Sequence, residues 1–260
     1  MAQLEVTLVP QLQDNYSYVL RCQETGQVGV VDCPDAQEMI AFLKGKGWEL
    51  NTIFLTHHHW DHVDGTQALT EAYSNVRVFG FVDDKERLPA VTDYVKEGDT
   101  VSLGACEAQV LFTPGHTIGH IAYHFADSND LFCGDTMFAA GCGRVFEGTF
   151  TQMHESMQKL GALPPETKVY CGHEYTTSNV RFALAVEPDN ADLQAYQKKV
   201  EELRAAGTPT IPTTLEHEWK VNPFLRVDSA AIQGAAAKMG ADVSNPASVF
   251  EATRKRKDNF

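Results

Sequence analysis

The chain has 260 residues, room for one large domain or a large and a small one. Its formal charge of −14 excludes non-specific nucleic-acid binding, which needs a positive surface. No apolar run approaches the ~20 residues that span a bilayer, and the stretch from Met1 to Val6 has neither the basic nor the long apolar region of a secretory signal. The six cysteines contain no Cys-x-x-Cys pair. Cys33, Cys133 and Cys171 sit in or end apolar strand-like runs, so they read as buried thiols and suit a reduced, cytoplasmic setting.

In chain order, Leu4–Val9, Tyr16–Leu20 and Val28–Asp32 are predicted strands, separated by the turn signals Asp14-Asn15 and Glu24-Thr25-Gly26. Asp35–Lys46 is a predicted amphipathic helix with Met39, Ile40, Phe42 and Leu43 at helical spacing and Gly47 just past its end. Further strands are expected at Asn51–Leu55, Val76–Phe79, Ile121–Phe125, Asp130–Cys133 and Val169–Cys171. A broken pair is expected over Val101–Phe112. Beyond about Thr176 the pattern becomes helical: Val180–Ala185, Asp192–Ala206 and Asp228–Met239 read as helices. A last one begins at the cap Asn245-Pro246 and ends in Arg254-Lys255-Arg256-Lys257. Thr208–Pro223, with three prolines, reads as irregular.

The most informative stretch is Thr56-His57-His58-His59-Trp60-Asp61-His62, which follows an apolar strand directly. His57, His59, Asp61 and His62 form His-x-His-x-Asp-His. Neutral imidazole and carboxylate are preferred ligands of zinc, iron and manganese, so one loop offers donors for one metal and for a second beside it. In an extended segment His58 points away from its two neighbours, which makes it a supporting residue. The same arrangement recurs. A short apolar strand leads into Pro114-Gly115-His116, into Gly134-Asp135-Thr136 and into Gly172-His173-Glu174. His120, His124, His154 and His217 stand singly and read as ordinary structural or surface residues.

Together these motifs resemble the metallo-β-lactamase superfamily. Gly141-Cys142-Gly143-Arg144-Val145-Phe146-Glu147-Gly148-Thr149 narrows the likeness to the hydroxyacylglutathione hydrolases, or glyoxalases II. So do Gly172-His173-Glu174-Tyr175 running on to Asn179–Ala183, Asn222-Pro223-Phe224-Leu225-Arg226 and the Arg254–Lys257 ending. The resemblance covers essentially the whole chain. It implies an α/β (α+β) fold: a four-layer αββα sandwich over residues 1–173 as catalytic domain, and a small α-helical glutathione-binding domain over 174–260. It also implies two divalent metals, zinc in the first place with iron or manganese as alternatives. One is held by His57, His59 and His116, the other by Asp61, His62 and His173, with Asp135 bridging. The glutathione contacts fall on Arg144, Phe146, Tyr175, Arg254 and Lys257. Phe146 departs from the Tyr of many relatives: it keeps the ring and loses the hydroxyl.

The activity so implied is hydrolysis of S-(2-hydroxyacyl)glutathione thioesters, chiefly S-D-lactoylglutathione to D-lactate and glutathione, in methylglyoxal detoxification. Asp61 and Asp135 act with a metal-bridging hydroxide, formed because two metals bring the pKa of a shared water toward ~7. Asp61, Asp135 and the hydroxide do not cancel the charge of two divalent ions, so the site stays positive toward a developing oxyanion. A thiolate leaving group with pKa of about 8.5 departs without a general acid. A monomer acting on a small glutathione thioester, with no membrane or nucleic-acid partner, is expected. Four other readings are weaker. A persulfide dioxygenase lacks the long helical tail, and zinc-dependent lactamases generally lack the bridging aspartate. A structural zinc site would be closed and thiolate-rich. No cysteine here lies in a nucleophile motif.

Overall fold

β-Branched and aromatic residues open the chain as an antiparallel meander of β1 (Leu4–Gln11), β2 (Asn15–Cys22) and β3 (Val28–Val31) in the computed structural model, which describes residues 3–260. Met1 and Ala2, the start of the stretch read against a secretory signal, lie outside the described residues. The chain forms two units: residues up to Phe112 with Gly119–Gly134, and Thr113–Ile118 with Asp135–Phe260.

In the first unit the meander continues into parallel strands β4 (Leu50–Phe54), β5 (Arg77–Phe81) and β6 (Asp93–Val95), giving a sheet ordered β1-β2-β3-β4-β5-β6. Parallel neighbours need crossovers. Helix α1 (Ala36–Lys46) supplies the first; α2 (Trp60–Val63) and α3 (Thr66–Ala72) lie in the second. The start of α1 is fixed by Asp35, whose carboxylate accepts from the Gln37 and Glu38 amides at 2.8 and 3.3 Å. Its end is fixed by Gly47, whose φ of 67° lets its amide turn back to the Leu43 and Lys44 carbonyls. The second sheet of this unit is antiparallel, ordered β10-β9-β8-β7 from β7 (Thr100–Leu103), β8 (Cys106–Phe112), β9 (Ile121–Phe125) and β10 (Asp130–Gly134).

Strand periodicity divides the first sheet's side chains between two cores. Val30, Ile53, Leu55 and Val78 pack against Met39 and Leu43 of α1 and Leu69 of α3. On the other face the two sheets meet through aromatic rings. Phe54 lies 5.2 Å from Tyr123, Phe81 stacks on Phe112 at 4.7 Å, and Tyr18 meets Phe132 at 5.5 Å. The buried Tyr123 hydroxyl donates to the Leu55 carbonyl at 2.9 Å, so the polar tip of this ring is satisfied inside the sandwich.

The second unit holds a tight hairpin, β11 (Met137–Phe138) with β12 (Gly141–Cys142). Helix α4 (Phe150–Gly161) follows, then β13 (Lys168–Cys171) paired with β14 (Thr213–Thr214). Its remaining helices are α5 (Thr176–Val186), α6 (Ala191–Ala205), α7 (Leu215–Val221), α8 (Ala230–Ala237) and α9 (Pro246–Asp258). Val180, Ala183, Leu193, Tyr196, Val200 and Val221 of α5, α6 and α7 make one buried cluster. Phe250 of α9 packs on Phe224 and on His154 of α4.

Helix α4 is absent from the sequence reading. Its buried face consists of Met153, Met157 and Leu160 with Ser156 and Gly161, and polar residues dilute the period. A Thr149–Gln152 capping box starts it. The stretch Thr208–Pro223, expected to be irregular, contains β14 and α7. Its prolines at 209, 212 and 223 flank these elements instead of interrupting them, and the Thr214 hydroxyl caps α7 at the His217 amide. Among the described residues no helix is long and apolar enough to cross a membrane.

Replacing the α1 cap, Asp35→Ala, is expected to destabilise the protein by about 1 kcal/mol. Urea unfolding checks this, with the midpoint falling and the slope unchanged.

Candidate metal centre

In the first unit, β4 runs out at Phe54 and the chain stays extended through His59, where α2 begins. The extended stretch places His57 and His59 on one side, with His57 Nε2 3.1 Å from His59 Nδ1. His58 points elsewhere, to Asp84 at 3.2 Å and Arg87 at 3.1 Å, away from its two neighbours as expected of an extended segment. The turn of α2 then presents Asp61 and His62, whose Oδ2 and Nε2 lie 3.9 Å apart.

The rings are held from behind by a residue that the sequence reading passed over. Asp32, buried at the end of β3, accepts from the Thr56 amide (2.9 Å), the Thr56 hydroxyl (2.7 Å) and His62 Nδ1 (2.8 Å). Because the Thr56 hydroxyl donates to Asp32, it accepts from His57 Nδ1 at 3.0 Å. Both rings are thereby set as the Nδ1–H tautomer, which leaves Nε2 as the electron-pair donor. Asp32 lies within 4.8 Å of His57 and His62 ring nitrogens, yet three donors already occupy its oxygens, so it orients the two rings instead of offering a donor atom of its own. Its φ of 49° is a left-handed conformation that Asp tolerates better than most residues. The available signal was an acid closing the apolar run Val28–Val31: a carboxylate there must find partners. Asn15 does the same for Asp61, donating to its carbonyl at 2.9 Å and to Oδ2 at 3.2 Å. His120, read as ordinary, is fully buried and stacks on His57 at 4.7 Å.

In the second unit, Asp135 Oδ2 lies 3.4 Å from His116 Nε2 and 3.3 Å from His173 Nε2. His116 Nδ1 donates to the Arg144 carbonyl at 2.8 Å, so this ring too offers Nε2. His173 stacks flat on Tyr175, 4.7 Å between centroids and 3° between planes. Glycine is required at 143, where a Cβ would stand 1.9 Å from the Asp135 carbonyl oxygen. The donor set fits divalent metal. It contains neutral imidazoles and carboxylates with no thiolate. The 3.3–3.4 Å separations also match the edge of about 3.4 Å in a tetrahedron of ligands at 2.0–2.1 Å from zinc.

The residues expected to meet glutathione also lie in the second unit. Arg254 is buried. Its guanidinium donates to the Cys142 carbonyl at 2.8 Å and to Asp258 Oδ1 at 3.0 and 3.2 Å, and lies over the Phe224 ring. Arg144 approaches the same oxygen at 3.9 Å. Lys257 sits over Phe182 and donates to the Ser178 carbonyl at 3.4 Å. Burial, and then the Arg254 charge, bring its ammonium down to about 8. Phe146 is exposed and faces His116 at 5.3 Å. The resemblance implies glutathione contacts at Arg254 and Lys257; in the structure Asp258 holds Arg254.

Residues 12–173 match the model of the metallo-beta-lactamase superfamily, and 174–260 match that of the hydroxyacylglutathione hydrolase C-terminus. The chain belongs to the metallo-β-lactamase superfamily and has its α/β fold, followed by a C-terminal helical segment. It is 48% identical over 260 residues to a hydroxyacylglutathione hydrolase of Rhodospirillum rubrum and 47% identical over 260 residues to one of Jannaschia sp.; each match covers 100% of both chains. Within the superfamily it is therefore a member of the hydroxyacylglutathione hydrolase family. It is also similar to the solved structure of TTHA1623 in a di-iron-bound form: 25% identity, TM-score 0.62, 85% of this chain and 100% of that one.

Asp32→Asn keeps a side chain suited to the left-handed backbone but weakens the grip on Thr56 and His62. Metal affinity is expected to fall by about 10–100-fold, with the fold retained. Competitive titration against a chromophoric chelator, beside circular dichroism, checks it.

Proposed function

We propose that this protein hydrolyses S-(2-hydroxyacyl)glutathione thioesters, chiefly S-D-lactoylglutathione to D-lactate and glutathione, as the second step of methylglyoxal detoxification. The observation that carries the reading is one oxygen of Asp135 set between two imidazole Nε2 atoms, as a carboxylate shared by two cations would be. The full-length likeness to hydroxyacylglutathione hydrolases supports the substrate class. In this reading His57, His59 and His116 hold one divalent ion, and Asp61, His62 and His173 the other. Asp135 serves both, and zinc is the metal at each. The chemistry that two bound cations would supply is Lewis acidity toward a thioester carbonyl and toward water.

The chain's own residues do the rest. Asp32, Thr56 and the Arg144 carbonyl fix ring tautomers, and Asn15 fixes the Asp61 carboxylate. Arg144, Arg254 and Lys257 supply local positive charge for the glutathione carboxylates, which approach a protein of formal charge −14. Phe146 and Tyr175 offer aromatic faces beside His116 and His173. The glutathione thiolate is a good leaving group, with a pKa of about 8.5, so no side-chain acid is needed. We assign catalysis to residues 1–173 and glutathione binding chiefly to 174–260, in a monomeric cytoplasmic enzyme. The six buried free cysteines suit a reducing compartment.

Purified protein is expected to hydrolyse S-D-lactoylglutathione far faster than a thioester lacking glutathione; equal rates would refute the substrate assignment. Asp135→Ala should lose most of the activity and lower the metal content from two ions per chain, read by elemental analysis. One ion in fully active parent protein would sink the two-metal reading.

The Lys257 ammonium, with its pKa of about 8, is charged below that pH and neutral above it. The kcat/KM for the anionic thioester should therefore fall as pH rises through about 8. Lys257→Arg, charged throughout, should remove that limb of the profile. An identical alkaline limb in both proteins would take Lys257 out of substrate binding.

A further inference from the structure

Between Asp135 and Arg144 the chain makes the β11–β12 hairpin, with Phe138 paired to Gly141 and Met137 to Cys142 across a two-residue turn. Every residue of it is buried, so its turn cannot rely on water for hydrogen bonds. Side chains from the helices supply them. Asn179 Nδ2 donates to the Ala139 carbonyl at 3.0 Å. Asn222 Nδ2 donates to the Gly141 carbonyl at 2.9 Å and to that of Phe138 at 3.2 Å. The Ala140 amide is the donor at the turn, and its acceptor is Glu218 Oε2 at 2.8 Å. Ala140 sits at φ 53°, a left-handed conformation that alanine adopts only when its surroundings hold it there.

Glu218 is wholly buried in α7. Its other bonds come from the Thr213 hydroxyl and Asn222 Nδ2, each at 2.8 Å, the amide sharing its two hydrogens between Glu218 and the two hairpin carbonyls, and none of these partners is a cation. Burial accordingly pushes its carboxyl up to about 7. An acid placed at such cost in a core needs a reason beyond packing. The far ends of the hairpin supply one. The Cys142 carbonyl accepts from Arg254, and the Gly143 amide donates to the Thr136 carbonyl at 3.1 Å, beside Asp135.

We propose that Glu218 is a positioning residue for the hydrolysis: by accepting from the Ala140 amide it fixes the hairpin that sets Arg144 and Arg254 relative to Asp135. The inference rests on the thioesterase reading for its consequence in catalysis, and on the structure alone for the anchor.

Glutamine fits the same place. Its oxygen accepts from Ala140 and Asn222, and its NH2 donates to the Thr213 hydroxyl, which reverses its role. Leucine leaves the Ala140 amide buried without an acceptor. The experiment compares Glu218→Gln, Glu218→Leu and Leu43→Ala, a destabilising core change in α1 that leaves the second unit's sequence intact, with the parent metal-loaded enzyme. Amide exchange at Ala140 is followed by NMR, beside KM and kcat for S-D-lactoylglutathione. Glu218→Gln should match the parent within about twofold in all three. Glu218→Leu should speed Ala140 exchange and raise KM by about tenfold each, with kcat nearly unchanged. Leu43→Ala should lower the melting temperature without moving KM. If Glu218→Leu does not fold, Glu218→Asp, which draws the carboxylate back by one methylene, is read by the same criteria. Ala140 exchange no faster in the Leu or Asp variant than in Leu43→Ala overturns the anchor. A Glu218→Gln protein as impaired in KM as the Leu variant, or a Leu or Asp variant with parental KM, overturns the positioning role. A parent protein inactive on the thioester defeats the assigned function instead, and the exchange comparison still decides the anchor.

Discussion

An imidazole can serve a metal only if the right nitrogen carries the lone pair and the ring points the right way, and the groups around His57, His62 and His116 meet that demand. A ring on a two-bond side chain cannot settle either question by itself. The hydrogen bond at the far nitrogen settles both. Asp32 fixes His62 directly and His57 through the Thr56 hydroxyl, while the Arg144 carbonyl fixes His116. The strand ends are rigid supports for this purpose. Asp32 closes β3, Thr56 follows β4, and the aromatic layer between the two sheets holds β4 through Phe54.

Charge is the second constraint. Cations gathered in one place repel one another until something anionic sits among them. Asp258 plays that part for Arg254 and Arg144. Lys257, half-buried near the same group, has its ammonium weakened by burial and by Arg254. Asp258 thus holds Arg254 in place, with Arg144 3.9 Å from the same carboxylate oxygen.

The hairpin between Asp135 and Arg144 joins these two constraints in one short stretch of chain. Its glycines allow backbone to approach backbone: a side chain at Gly143 would strike the Asp135 carbonyl and one at Gly141 would strike Asn179. Its buried turn is fastened by Glu218, Asn222 and Asn179, so helices of the C-terminal segment bear on residues close to Asp135.

The sequence by itself determined the local facts. Period-two geometry put His57 and His59 together and sent His58 away. Asp35 and Gly47 bounded α1 within a residue, and the strands ending at histidine or aspartate named six of the candidate ligand positions beside Asp61. These follow from neighbours in the chain, where propensity and periodicity act. Only the tertiary structure decided which groups hold those ligands. Asp32 meets His62 across 30 residues, Asn15 meets Asp61 across 46 and Glu218 meets Ala140 across 78, and no local pattern encodes such pairings. It also decided that Arg254 is buried against Phe224 and Asp258, and it made a helix of the weakly patterned Phe150–Gly161. The physical reason is the same in each case. A buried polar group or a diluted apolar face becomes stable only when distant chain closes over it and supplies its partners.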